Sequence, residues 1–363
     1  MKKGMVFFLL SLFIMALAAC GSLTEESGEN EDSEQSSGET KEETDSAEAD
    51  EETSEAEGSN KEAETTIRLG SHLPPSHSVI AVTEEFKDIV ESESDGRIAV
   101  EIHPSGELGG QSELIQSLQV GSLEMTINDA GVLSNFAPKV GVLDMPYTFS
   151  SYEHVHNVLD SSVAETLEAE LAEADIKSIG WVDSAFRDLL INEEISGIED
   201  VDGMSLRVPD APQYSRTVES WGASATSIPW GDLYNSLETG VADGFEGSAE
   251  SIYSDGLHEV VEYRVPTEHI FTVLSLNISQ QFFNELPAED QTLIEEAGRE
   301  AALFGRELAM ERDEEYKGQL EEEGLQTLEV DKKPFQEAAM EFVNSYAEEE
   351  GLTDLLEQIN ELE

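Results

Sequence analysis

The feature that most constrains this chain is a double switch of hydrophobic period just after Thr66. Ile67-Arg68-Leu69 alternates as a strand does, Val79, Val82, Phe86 and Ile89/Val90 recur at helical spacing, and Ile98, Val100 and Ile102 alternate again. A strand, a helix and a strand in succession form a βαβ unit, which places the two strands parallel and the chain in the α/β class. The pattern continues with a helix over 111–120 (Leu114, Ile115, Leu118) stopped by Gly121, a strand through 125–127, a helix near 152–174 and a strand at 176–182. A second set follows: a strand at 204–208, a helix at 213–221, a helix at 232–239 capped by Gly240, and a strand at 241–245. Two β-rich stretches, 260–265 and 270–278, carry the chain back between lobes. Pro287 then opens a helical run to about Glu322, with Leu293, Ile294, Ala297, Ala301, Phe304 and Leu308 on one face. At 1.5 Å per residue that helix is about 50 Å long, more than one lobe's width, so it braces both.

The 363 residues suffice for two lobes. They carry 80 Asp+Glu against 19 Lys+Arg, a formal net charge of −61. Such a chain offers no basic patch for nucleic acid, and repulsion keeps it off anionic headgroups. A single cysteine removes any disulfide framework and any cysteine-based zinc cluster.

The two ends of the N-terminal region read differently. Lys2 and Lys3 precede an apolar run from Met5 to Leu17, too short for an ordinary membrane span and right for a secretory signal over 1–19. Leu17-Ala18-Ala19-Cys20 resembles the lipobox of bacterial lipoproteins, which makes Cys20 a lipidation site and the new N-terminus. Residues 20–65 follow as an acidic tether with 18 acids and two lysines; so few apolar groups cannot offset chain entropy, and disorder is expected. Removing 1–19 takes away two lysines and no acid, leaving a charge of −63 and a surface suited to salty or alkaline surroundings.

Several motifs of the folded part agree in order and spacing with one family. Gly203-Met-Ser-Leu-Arg-Val-Pro209 resembles the G-x-K-[IL]-R-x-P signature of the solute-binding proteins of TRAP (tripartite ATP-independent periplasmic) transporters, the DctP family. Leu108-Gly109 with 119–124, Asp144-Met145-Pro146-Tyr147, Gly180-Trp181 with Phe186-Arg187, 229–234, 237–246 and 286–291 are similar to that family's other conserved stretches. The resemblance covers about residues 66–345. It implies a two-domain, type II periplasmic-binding-protein-like fold with a hinge and a long helix spanning both lobes. It also implies discontinuous lobes, 66–185 with 274–312 and 186–273 with 313–363.

What the resemblance implies for function is capture of a small organic acid in the interdomain cleft and delivery to the membrane subunits of a TRAP permease. The protein is then extracytoplasmic and held to the membrane by its lipid alone. Arg207 is the expected carboxylate anchor, since a guanidinium donates two parallel hydrogen bonds to a carboxylate. Arg187 matches the family's second arginine. Asp129 either accepts hydrogen bonds from ligand hydroxyls or an amine, or caps a helix. His72 is either a polar ligand contact or a satisfied loop histidine, and Trp230 packs either on the ligand skeleton or in the core. Glu246 is a ligand contact by its place in the motif, although Gly247 departs from the Asn usual next to it. Phe149 is expected to line the cleft.

An enzyme is disfavoured. No G-x-S-x-G, Walker loop or Rossmann fingerprint occurs. His154 and His156 are two apart on a helix, the wrong spacing for chelation. No catalytic residue, metal or cofactor is expected. The ligand stays open between a C4-dicarboxylate and a sugar acid such as a uronate, with a monocarboxylate or a zwitterionic osmolyte such as ectoine as alternatives. Service to a sensor or an ATP-driven importer is the alternative to a TRAP permease.

Overall fold

The computed structural model describes residues 63–363. The signal, Cys20 and all but the last residues of the tether lie outside the described residues.

In chain order the first elements are β1 (Thr65–Gly70), α1 (Ser78–Glu93), β2 (Ile98–His103), α2 (Gln111–Gln119), β3 (Met125–Asp129), α3 (Ala130–Leu133), α4 (Tyr152–Leu159), α5 (Ser162–Glu173) and β4 (Ile176–Ile191). Then come β5 (Ser205–Val208), α6 (Pro212–Ser220), β6 (Ser224–Ser227), α7 (Leu233–Glu238), β7 (Gly244–Gly247), α8 (Ala249–Ser254) and β8 (Tyr263–Ser279). α9 (Gln280–Glu285), α10 (Ala288–Glu322), β9 (Gln326–Thr327), α11 (Lys333–Glu349) and α12 (Thr353–Asn360) end the chain.

The strands join one sheet in the order β2-β1-β3-β8-β4-β7-β5-β6, with β9 on the start of β8. β1 runs parallel to β2 and β3, as the βαβ reading expects, and β5 runs parallel to β6 and β7. Between these two parallel groups lie β4 and β8, long and antiparallel to each other. β8 pairs with β3 over 274–278, whereas β4 pairs with β7 over 188–191. Each half of the sheet therefore hangs on a different end of the same two strands.

Four differences from the sequence reading have local causes. The helix expected over 152–174 is two, because Ser161 starts α5 afresh by accepting from the Val163 amide. The strand expected to stop at 182 continues to Ile191, and the stretches at 260–265 and 270–278 are one strand. Pro266, which lacks an amide hydrogen, and Glu268, at φ 46°, fall where the β4–β8 register jumps. Finally, β7 starts later than expected, after the left-handed turn at Gly240 (φ 69°).

Side chains alternate across the sheet and build separate cores on its two faces. In the first half, Ile67, Val82, Phe86, Met125, Leu276 and Ile294 form one cluster, and Leu118, Val142, Val155, Leu167 and Phe271 form another. In the second half, Leu189 and Ile191 enter a cluster with Leu206, Tyr214 and Trp221. Leu190, between them, joins Phe245, Ile252 and Tyr316 instead. The C-terminal segment, all of it expected in the second lobe, packs on both halves. Phe335 packs in the second half, but Val343, Ala347, Leu355 and Ile359 lie in the first-half cluster with Val155 and Leu167. The reason is an apolar stripe on α11 and α12 that reaches back to the first-half cluster, joined by a 2.8 Å contact between His154 Nε2 and the Ile359 carbonyl.

α10 has 35 residues and joins both halves as expected: Ile294 and Ala301 lie in one core, Tyr316 and Leu320 in the other. Its buried face is made of small residues, with Gly298 and Gly305 among them, while Phe304 is exposed rather than buried. A Cβ at Gly298 would lie 2.7 Å from the Ile179 carbonyl oxygen, so the helix touches β4 backbone to backbone. Gly298→Ala therefore costs about 1–3 kcal/mol from overpacking, more than the ~1 kcal/mol of helix propensity it gains. Gly318→Ala, in the same helix with nothing within 4 Å of its Cβ, gains that propensity alone. Urea unfolding of the two variants should move in opposite directions, and a common direction would contradict this contact.

Candidate functional site

The parallel strands of both halves end at one place. Beyond β1 lie His72 and Leu73, at the end of β3 lies Asp129, beyond β5 lies Pro209, and beyond β6 lie Ile228 and Trp230. All of them line a cavity of about 410 Å³. Its back wall comes from the shared strands, through Ser184, Arg187, Thr272 and Leu274. A crevice outside the carboxyl ends of parallel strands is where open α/β sheets bind ligands, and the volume falls in the usual range of such sites, ~300–1,000 Å³.

Arg207 is 3% exposed and, among the described residues, forms no ion pair. Its Nε donates to the Ile228 carbonyl at 2.8 Å, its guanidinium lies 5.2 Å from the Trp230 ring centroid, and its Nη1 is buried without any hydrogen-bond partner. Burial pulls its pKa down to about 10, so it remains a cation at neutral pH. A buried cation with an unused donor in a cavity wall keeps the capacity to pair with an anion that enters the cavity.

Arg187 lies near it but is already committed. The register jumps that flank it in β4 turn it toward β7, where Nη2 donates to the Glu246 carbonyl and carboxylate, each at 2.8 Å, and Nε donates to the same carboxylate. Nη1 donates to Thr272 Oγ1 at 3.2 Å. Burial works against its charge, yet Glu246 overrides it and holds the pKa above the ordinary arginine value. Glu246 in turn resists the effect of burial because Arg187 and His269 keep its pKa low. Glu246, expected at the ligand, is placed one layer behind the cavity wall. Its carboxylate is fully buried behind Arg187 and outside the cavity wall, where it neutralises and orients that arginine.

Asp129 occupies the N-cap position of α3 but makes no side-chain cap bond. Instead Gln111 clamps it from two sides: the Gln111 amide donates to Oδ2 and the Asp129 amide donates to Gln111 Oε1, both at 2.9 Å. His72 borders the cavity with a buried Nδ1 that has no partner, and burial lowers its pKa to about 4, so the ring is neutral. Trp230 lines the cavity and also packs against the protein's own core. One face meets Arg207, and the indole donates to Asp255 at 3.0 Å while packing edge-on against Phe245. Phe149 does not line the cavity: it is buried in the first-half core against His154 and Phe271. Apolar burial outweighs its nearness to the Pro146-Tyr147 turn.

Sequence reasoning missed Gln111, Thr272 and Tyr214. Thr272 had a signal, as the lone polar residue within Ile270-Phe271-Thr272-Val273-Leu274. Gln111 had none, since its partner is an aspartate on another element. Tyr214 lies under Arg187, 5.1 Å from ring centroid to guanidinium, and donates its hydroxyl hydrogen to the buried Asp144. Among the described residues no group of His, Cys, Asp and Glu is arranged to hold a metal, and no helix is long and apolar enough to cross a membrane.

A family model, DctP: bacterial extracellular solute-binding protein, family 7, matches residues 69–350. The chain belongs to this family. It is 32% identical over 302 residues to a solute-binding protein of Sulfitobacter sp. strain NAS-14.1, covering 82% of this chain and 92% of that one. Its fold is similar to a TRAP periplasmic solute-binding protein of Haemophilus influenzae solved with bound L-gulonate (TM-score 0.79, 28% identity, 82% of this chain and 100% of that one). It is equally similar to one from Chromohalobacter salexigens solved with D-glucuronate (TM-score 0.79, 28% identity, 82% and 100%). This DctP-family protein is accordingly an extracytoplasmic solute-binding component of a TRAP transporter with the family's two-domain fold, and its family's role is transport rather than chemistry on the solute.

Asp144 links the two halves behind the cavity. Besides Tyr214 it accepts from the Gly131 amide at 2.8 Å and from the Val273 amide at 3.4 Å. These donors favour the carboxylate, but burial wins and raises its pKa to about 7. The folded state then holds this proton more tightly than the unfolded chain, whose aspartates titrate near ~3.9. Stability contributed by Asp144 is present below about pH 4 and falls as pH rises to 7, by at most ~1.4 kcal/mol per pH unit. In Asp144→Asn that slope disappears. The difference between the two proteins' unfolding free energies across pH 4–8 should show it, since the opposite slope from His72 is common to both. Parallel profiles would refute the assignment.

Proposed function

We propose that this TRAP solute-binding protein captures a sugar acid with one carboxylate, a hexuronate or an aldonate, and releases it to the permease from a lipid anchor at Cys20. The observation that carries the ligand class is the unequal state of the two arginines. Arg187 is neutralised by Glu246, so among the described residues lining the cavity a single arginine or lysine, Arg207, is free to take a single carboxylate. A second carboxylate would meet the Asp129 side chain with no cation left to offset it, which disfavours a C4-dicarboxylate. Hydroxyls suit the rest of the wall: Asp129 accepts, neutral His72 has an unused ring nitrogen, and Ser184 lines the same space. L-Gulonate and D-glucuronate, bound by the two similar structures, are acids of this class.

Closure of the two lobes over the solute is the mechanism this reading requires, with the ligand bridging residues of both halves and so favouring the closed state. The lobe boundaries that go with it are about 185/186 and 273/274, beside the register jumps of β4. The anchor rests on the Leu17-Ala18-Ala19-Cys20 tetrad, and the acidic stretch after it acts as a spacer that keeps the binding body off the membrane.

The test is calorimetry of the protein and its Arg207→Ala variant against D-galacturonate, D-glucuronate, L-gulonate, succinate and ectoine. The wild type should bind one of the sugar acids and ignore succinate. The variant should stay folded and lose at least tenfold in affinity, because truncating one side of a desolvated charge pair costs ~2–5 kcal/mol. Equal affinity in both proteins would remove Arg207 as the anchor, and binding of succinate alone would overturn the sugar-acid reading. For the anchor, cells fed labelled palmitate should label the wild type and leave Cys20→Ser unlabelled.

A further inference from the structure

At the rim of the cavity the two halves are joined by a contact that the solute site does not itself need. α8 follows β7 directly, and Ser248 caps it by accepting from the Ser251 amide. Glu250, in the first turn of α8, turns away from its own helix. Its carboxylate accepts from the Ser78 amide at 2.8 Å and from the Ser78 hydroxyl at 2.5 Å, 172 residues away at the start of α1. Ser78 is the first residue of a 16-residue helix, where the amide has no partner inside the helix and the peptide dipoles leave partial positive charge. The Glu250 side chain is 5% exposed and, among the described residues, meets no lysine or arginine within 4 Å; the nearest basic side chain there is His77, with Nδ1 at 3.7 Å. The first turn of α1 is thus its main counter-charge.

His77 extends the contact. Its Nδ1 accepts from the Val79 amide at 3.2 Å, so the ring hydrogen sits on Nε2 and is donated to Ser251 Oγ, also at 3.2 Å. Ser251 Oγ receives a second hydrogen bond from Ser248 Oγ. With two donors pointed at it, the Ser251 hydroxyl has its own hydrogen left, and both Ser251 and His77 line the cavity.

We infer that Glu250 is a latch: seated on the first turn of α1, it holds the halves together and hands the Ser251 hydroxyl to the solute. The inference rests on the cavity being the solute site. Its position on the long helix fits the role. α1 lies on α10 at Gly305, against Val82, whereas α8 lies on it at Tyr316, whose ring centroid is 5.2 Å from that of Tyr253. The latch therefore spans the stretch of α10 between the two cores. Opening would return a carboxylate and a helix end to water, two groups that water also stabilises, so the latch biases the equilibrium without locking it. A binding protein that is closed a larger fraction of the time has a proportionally lower apparent Kd.

The test uses the full chain with Cys20→Ser and spin labels on cysteines at Asp88 and Glu219, exposed positions on α1 and α6. Pulsed dipolar distances are measured without ligand and with saturating D-galacturonate, beside stopped-flow dissociation. Without ligand, the closed population of Glu250→Gln should fall at least fivefold below that of the parent protein. D-Galacturonate should leave the variant about 5–30 times faster, with little change in association rate, and at saturation should restore the parent's closed distance. Ser78→Ala, which keeps the amide and loses the hydroxyl, should give a smaller change in the same direction and guards against a misfolded Glu250 variant. Equal ligand-free populations in parent and Glu250→Gln overturn the latch, whatever D-galacturonate does. Failure of D-galacturonate to bind the parent protein counts against the sugar-acid reading and leaves the distance comparison decisive.

Discussion

A guanidinium taken out of water without a counter-ion is the constraint around which this molecule is arranged. Arg207 is buried in the wall of a cavity, fixed through Nε, and left with an Nη1 that finds no acceptor. Among 80 acids a partner would be easy to supply, and a folded protein ordinarily supplies one. Here the surroundings withhold it. The Ile228 carbonyl and the Trp230 ring hold the group in place without neutralising it, which is why the proposed function gives it the solute's carboxylate.

Arg187 shows the opposite solution a short distance away. Glu246 saturates it, with Tyr214 beneath and Thr272 beside it, so it serves as a rigid dipolar wall instead of a second anion site. The pair Arg187–Glu246 is buried on both sides, and breaking it would leave a bare charge inside the protein. Two arginines of similar place in the sequence thus do different work, and the difference lies in one glutamate on β7. The strongly negative surface slows the approach of anions at low salt, an effect that screening removes over about 10 Å at 0.1 M. Discrimination among anions is then left to the cavity.

The sheet joins the two halves of the site. β4 and β8 pass through both halves, and their pairing is interrupted where Arg187 and Thr272 meet the cavity. α10 and the α11–α12 tail cross between the cores as well, so the halves are joined by helices in addition to the two shared strands. Asp144 and Tyr214 tie this region from behind, and Glu250 ties it at the rim.

By itself the sequence determined a good deal. Period changes located the parallel strands and the long helix, because burial on a sheet or along one helical face leaves a repeat that any window reveals. The Gly203–Pro209 stretch singled out Arg207, which the structure places in the cavity wall. Only the tertiary structure decided the rest. It placed Glu246 behind Arg187, Phe149 in a core, Gln111 on Asp129, residues 343–360 on the first half, and Glu250 on α1. These depend on which of many acids reaches which of few donors across 18 to 172 residues of chain. Composition makes every carboxylate equivalent; burial, register and the direction of a helix end make them different.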